Sequence, residues 1–234
     1  MTSYKKDRID NSIYNDIFKN SEQPLKGIFR YLAILISKPI SNTSITANQI
    51  TLLSFFICLI SAPFFFTSNK VFLIIGSVLL NLGFLFDYVD GEIARIKNQS
   101  SKFGHWLDLT FDRILDCIVF LSIIFGVYFT TENIIVTFLG LTTLVLRFLI
   151  DFLRWTPKIV DYKVELLNQY IKNNLIKKQL IYSKSNLYFL VLVFSFIGRM
   201  DYFIYFWSFY TFSFILVFYF YLLKKFYDDP GYND

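Results

Sequence analysis

Residues 71–112 read VFLIIGSVLLNLGFLFDYVDGEIARIKNQSSKFGHWLDLTFD. An uncharged, largely apolar run from Val71 to Phe86 leads straight into four regularly spaced aspartates, Asp87, Asp90, Asp108 and Asp112. Such a run predicts a membrane-crossing helix, and acids at its end are costly in or near hydrocarbon. Something bound among them must offset that cost, and a pair of divalent metal ions is the best candidate.

The rest of the chain has the same apolar character. Its 234 residues are 55% hydrophobic and 21% aromatic, with a mean hydropathy of +0.47, beyond the range of ordinary soluble domains. The apolar residues fall in long blocks, so the predicted fold class is all-α, a polytopic membrane protein with six transmembrane helices. The spans are drawn at Asn48–Thr67, from Val71 into the motif, Phe103–Phe129, Ile134 to about Arg154, roughly Ile181–Gly198, and Tyr202–Leu223. The fifth is the weakest, strongly apolar only from Leu187 to Ile197. Pro24–Ile40 mixes an apolar face with Lys26, Arg30 and Lys38, and reads as an N-terminal interfacial amphipathic helix. Three regions follow: residues 1–46 as an N-terminal cytoplasmic segment, 47–225 as the transmembrane catalytic domain with a cytoplasmic excursion at about 156–180, and 226–234 as a tail.

Several function classes are set aside by composition. The polar start, MTSYKKDRIDNSIYNDIFKN, lacks the apolar core of a secretory signal. Cys58 and Cys117 sit in apolar blocks as small packing residues, and His105 has no second histidine with which to build a zinc site. A net charge of +5 reports topology here, not nucleic-acid binding. With both termini cytoplasmic, the outer turns hold only Lys70 and Arg199, and the other loop lysines and arginines lie inside. The positive-inside rule therefore places the aspartates on the cytoplasmic side.

Helical spacing explains the motif. Asp87, Asp90, Gly91, Ala94 and Arg95 share one helix face; Gly104, Asp108 and Asp112 share another. The polar residues Asn98–Ser101 turn the chain, so two antiparallel helices meet carboxylate to carboxylate. Packed acids repel one another, and hard divalent cations with oxygen ligands relieve this. Two such ions, roughly 3.5–4 Å apart, clamp the attacking and leaving oxygens of a phosphoryl centre. Asp87 and Asp108 are the natural bridging ligands. Gly91, Ala94 and Gly104 leave a groove for a base or phosphates, and Arg95 either neutralises a pyrophosphate or pairs with an aspartate. Arg113 and Asp116 read as a local support pair one turn further on.

The pattern D-x-x-D-G-x-x-A-R, eight residues, then G-x-x-x-D-x-x-x-D resembles the signature of the CDP-alcohol phosphotransferase family, integral membrane enzymes. Every specified position is filled: Asp87, Asp90, Gly91, Ala94, Arg95, Gly104, Asp108 and Asp112. The resemblance implies transfer of a substituted phosphoryl group from a CDP-linked donor to an alcohol, with release of CMP and dependence on two ions of Mg2+ or Mn2+. It further implies that Asp87, Asp90 and Asp108 bind metal, and that Asp112 binds metal and acts as general base. Gly91, Ala94, Arg95, Ser101 and Gly104 fall on the nucleotide side. Many relatives carry a Pro-Asn-x-x-Thr entry to the first span; here Ala47 replaces the proline, so Asn48 and Thr51 carry over more weakly, with a helix-cap role as the alternative. Expected partners are a CDP-linked lipid or alcohol donor, a small polar acceptor, membrane lipids and a second copy of the chain in a homodimer, with no nucleic acid.

The acceptor must reach Asp112, about 12 Å along the helix from Gly104. Arg147 and Arg154 on the fourth span are candidate acceptor-binding residues. Arg147 either holds an acceptor phosphate or pairs with Asp151, and Arg154 also fits an interfacial anchor. The wording between signature positions is most similar to inositol-phosphate-using members. Glycerol 3-phosphate and serine stand as alternative acceptors, and a membrane prenyltransferase or a divalent-cation transporter as remoter classes.

Overall fold

The computed structural model describes residues 24–67, 69–159 and 183–227. Seven α-helices occur among them and no strand: α1 (Pro24–Ser41), α2 (Ala47–Ser61, extended by a 3-10 turn, Ala62–Phe66), α3 (Lys70–Ile96), α4 (Lys102–Thr131), α5 (Ile134–Ile159), α6 (Lys184–Ile197) and α7 (Met200–Tyr227). Local signals set the ends. Thr46 and Gln49 form a reciprocal capping box at the start of α2, and Asn69, Ser101 and Ser183 cap α3, α4 and α6 through their side chains. The cap of α2 is therefore Thr46, which removes the alternative of a cap role for Asn48 or Thr51. Gly198 closes α6 at φ +79°, a left-handed conformation that a side chain would strain.

Five helices are long and apolar enough to cross a membrane, α2 with its 3-10 extension, α3, α4, α5 and α7. The chain is thus an all-helical, multi-pass integral membrane protein. In place of the expected fifth span there is a shorter apolar helix, the 14-residue α6, whose first residue pairs with Asp112, ten residues inside α4. The expected excursion after α5 falls mostly on residues 160–182, outside the described residues.

The core lies between the helices, built on Leu80, Phe84, Ile123, Phe203 and Trp207, while many large apolar side chains, such as Phe138 and Phe209, point outward as a lipid-facing surface requires. Packing near the site is tightest between α2 and α3. A Cβ on Gly83 would fall 3.1 Å from both Ser54 O and Cys58 N, so a glycine is what allows this approach. Cys58 is a free thiol buried in the core, and Cys117 is a half-buried free thiol. Helix α1 lies against α3, with Phe29 on Phe84 and Tyr88, and buried Ser37 donating to Ala33 O at 2.7 Å. Its Ile28, Leu32 and Leu35 face outward.

Candidate active site

Helices α3 and α4 approach each other at their acids, and α2 packs on both. Asp87 and Asp90, one turn apart on α3, meet Asp108 of α4; one carboxylate oxygen from each lies within 4.8 Å of the others. Asp90 is buried, its Oδ2 accepts no hydrogen bond, and Thr51 of α2 lies beside its carboxylate. Among the described residues none of the three forms an ion pair. Three carboxylates with an unsatisfied buried oxygen form a donor set that suits a hard divalent cation and is costly without one. The residues present fit a metal site.

Asp112, the fourth acid, stands one turn further along α4, outside this group of three. Its carboxylate is paired with the ammonium of Lys184, the first residue of α6. That ammonium lies 5.6 Å from the ring centre of Phe84 and 5.5 Å from that of Tyr188. A further turn on, Asp116 is almost fully buried and accepts from Arg147 Nη2 at 2.7 Å and Nε at 3.1 Å. Arg113 reaches the same oxygen at 3.4 Å and also pairs with Asp151; the Tyr188 hydroxyl donates to the other oxygen at 3.4 Å. The expected Arg113–Asp116 support pair is present. An Arg147–Asp151 pair is not: Arg147 crosses to Asp116 on α4, and Asp151 takes Arg113. Arg154 lies on α5, but its side chain falls outside the described residues.

Among the residues expected to face a nucleotide, Gly91 has the Arg95 guanidinium as its nearest neighbour; a Cβ there would sit 3.6 Å from it. Arg95 pairs with Glu92 at 2.7 Å and, among the described residues, with no aspartate, against the alternative expected for it, and Arg30 of α1 reaches the same carboxylate at 3.6 Å. Ser101 accepts from Gly104 N at 2.9 Å, and Asn48 Oδ1 would sit 3.1 Å from a Cβ on Gly104, so Asn48, Ser101 and Gly104 converge. Ala94, partly buried, packs against a small cluster of Ala33, Val89 and Ile93.

Three residues near these acids were not singled out by sequence. Lys184 counts there as an ordinary loop lysine. A cation at a helix N-terminus opposes the helix dipole, and that conflict was the available signal for an acid nearby. Lys97 donates to Thr43 O at 2.7 Å and Ile45 O at 2.6 Å, and Gln99 accepts from Ala47 N at 3.1 Å. Together these two staple the connecting loop of the motif to the entry of α2; no local pattern signals such long-range bonds.

The backbone is similar to that of the crystal structure of Mycobacterium tuberculosis phosphatidylinositol phosphate synthase with CDP-DAG bound, with a TM-score of 0.65 over 87% of this chain and 98% of that one. Identity there is 17%, so the likeness concerns the fold alone. In sequence, the chain is 36% identical over 92 residues to archaetidylinositol phosphate synthase of Pyrococcus horikoshii, covering 39% of this chain and 45% of that protein. It is 35% identical over 85 residues to phosphatidylinositol phosphate synthase of Corynebacterium glutamicum, covering 36% and 38% respectively. The chain thus spans less than half the length of these curated relatives. The sequence model of one family reaches much further, matching residues 44–226 and so the whole span from α2 to α7, and the chain belongs to the CDP-alcohol phosphatidyltransferase family.

Proposed function

We propose that this protein is a membrane phosphotransferase that moves a phosphatidyl-type group from a CDP-linked lipid to a hydroxyl of inositol phosphate, releasing CMP, in phospholipid biosynthesis. The observation that carries the proposal is the convergence of Asp87, Asp90 and Asp108 across α3 and α4. The names of the relatives support the acceptor: the proteins from P. horikoshii and C. glutamicum are synthases of inositol phosphate lipids. Family membership argues against the prenyltransferase and transporter readings.

Asp87, Asp90 and Asp108 hold the divalent cations, Mg2+ or Mn2+, with Asp112 completing the second site. Bound there, the ions supply charge neutralisation on the donor pyrophosphate. Asp112 accepts the proton of the incoming hydroxyl. The acceptor oxygen bonds to the phosphorus that bears the lipid alcohol, the bridge to the cytidine phosphate breaks, and CMP leaves. Arg95, held by Glu92 across Gly91, binds the donor pyrophosphate, and Asn48, Thr51, Ser101, Ala94 and Gly104 shape the nucleotide side. Arg147, fixed in place by Asp116, and Arg154 of α5 are the proposed acceptor-binding residues.

Six spans are the natural topology. Helix α6 begins beside Asp112 and ends with Gly198 against Lys70, at the first residue of α3, so its 14 residues, about 21 Å long, run from the level of the acids to the opposite end of the bundle. Residues 47–225 then form the catalytic domain, α1 lies at the interface, and the excess of lysine and arginine puts both termini and the acids in the cytoplasm. A homodimer is the proposed assembly.

An acceptor screen tests the function. Purified protein with Mg2+ or Mn2+ and a CDP-diacylglycerol-type donor is offered inositol 1-phosphate, glycerol 3-phosphate or serine, and CMP is measured. The expected result is CMP release that depends on inositol phosphate. Release with glycerol 3-phosphate or serine instead would keep the reaction class and overturn the acceptor.

A further inference from the structure

Lys184 has no role in the chemistry assigned above, yet it is held in the row of acids. Its ammonium pairs with Asp112, its side chain is only 17% exposed, and it also lies in the field of Asp87 and Asp116. The end of α6 does not account for this. Ser183 already caps that end through Asn186 N, and a cation at a helix N-terminus is disfavoured. The attraction is to the acids.

Asp108 and Asp112 stand one turn apart on α4, yet only Asp112 carries a basic partner. An ammonium and a divalent cation have the same sign and seek the same oxygens, so they cannot share a carboxylate freely. We propose that Lys184 competes with a divalent cation for Asp112, which divides the acids into a tight cation site at Asp87, Asp90 and Asp108 and a weaker one at Asp112. Filling the weaker site requires the ammonium to leave the carboxylate. The Lys184 ammonium already lies within 5.6 Å of the ring centres of Phe84 and Tyr188, so a cation displaced from Asp112 keeps favourable contact with them. Lys184 is thus a positioning residue for the second ion. This inference rests on the proposal that the four acids hold divalent cations.

The test is a Mn2+ titration of the purified, detergent-solubilised full chain, with free Mn2+ read by electron paramagnetic resonance. Wild type is expected to bind one ion tightly and one weakly. Lys184→Met is expected to tighten the weak site at least about tenfold, since a unit charge a few ångströms away is worth that much even in a polar site. Lys184→Arg keeps the charge and is expected to keep the wild-type pattern; Asp112→Asn is expected to lose the weak site alone. Should Lys184→Met fail to fold, Lys184→Gln in the same titration replaces it. Two equal sites in wild type, or a weak site unchanged in the neutral variant, would overturn the competition. Absence of any Mn2+ binding in wild type would overturn the metal proposal itself and so is distinguishable.

Discussion

Two groups of acids lie within a few turns of one another and are treated in opposite ways. Asp116, deep in the bundle, is nailed by Arg147 and Arg113, and Asp151 takes the other side of Arg113. Asp87, Asp90 and Asp108, nearer the end of α3 and the start of α4, have no ion pair among the described residues, and a buried oxygen of Asp90 is left without a partner. Burying charge is tolerable only when it is compensated. The inner group is compensated by the protein, so its role is structural. On the proposed function, the outer group is compensated by the divalent cations it binds. Asp112, paired with a single lysine, stands between the two in position and in kind.

The comparison predicts that the two groups respond differently to the same Asp→Asn change. Asp87→Asn or Asp108→Asn is expected to cut phosphotransfer by roughly 10³-fold or more, because each removes a ligand that stabilises transition-state charge. Thermal unfolding in detergent is expected to hold steady or rise, since like-charge repulsion falls. Asp116→Asn is expected to do the reverse and destabilise the fold by about 3–5 kcal/mol, by leaving Arg147 buried without its carboxylate. The paired change Asp116→Leu with Arg147→Met sharpens the point: most of the stability should return while acceptor KM rises. If Asp116→Asn left stability untouched, the division into structural and functional acids would collapse.

Smaller effects come from the periphery. Lys97→Met unfastens the loop that brings Asn48 to Gly104, and an increase in donor KM of about fivefold, near 1 kcal/mol, is expected with acceptor KM unchanged. Steady-state kinetics with each substrate varied in turn checks this. Arg113→Met removes the secondary partner of Asp116 and its own pair with Asp151, but its side chain is partly exposed, so a loss of about 1 kcal/mol is expected from denaturant unfolding.

Much of this contrast was legible in the chain. The spacing of Asp87, Asp90, Asp108 and Asp112 announced facing rows because helical periodicity is a local property. The apolar blocks located the long helices for the same reason. What was not legible depended on which helix lies beside which. The sequence leaves Arg147 either to an acceptor phosphate or to Asp151, one turn away on the same helix, whereas it pairs with Asp116 on α4. Lys184 was counted as a loop charge because nothing local says that α6 starts beside Asp112. The capping box at Thr46 and Gln49 is local and therefore legible in the sequence, overlapping the Asn48-x-x-Thr51 pattern.

The central claim is that the uncompensated acids work by holding divalent cations on a CDP-linked donor. The most direct measurement is CMP release from a CDP-lipid and inositol phosphate by the wild-type protein, before and after metal is stripped with a chelator. The account predicts that release stops on stripping and returns on adding Mg2+ or Mn2+. Undiminished release in excess chelator would contradict it.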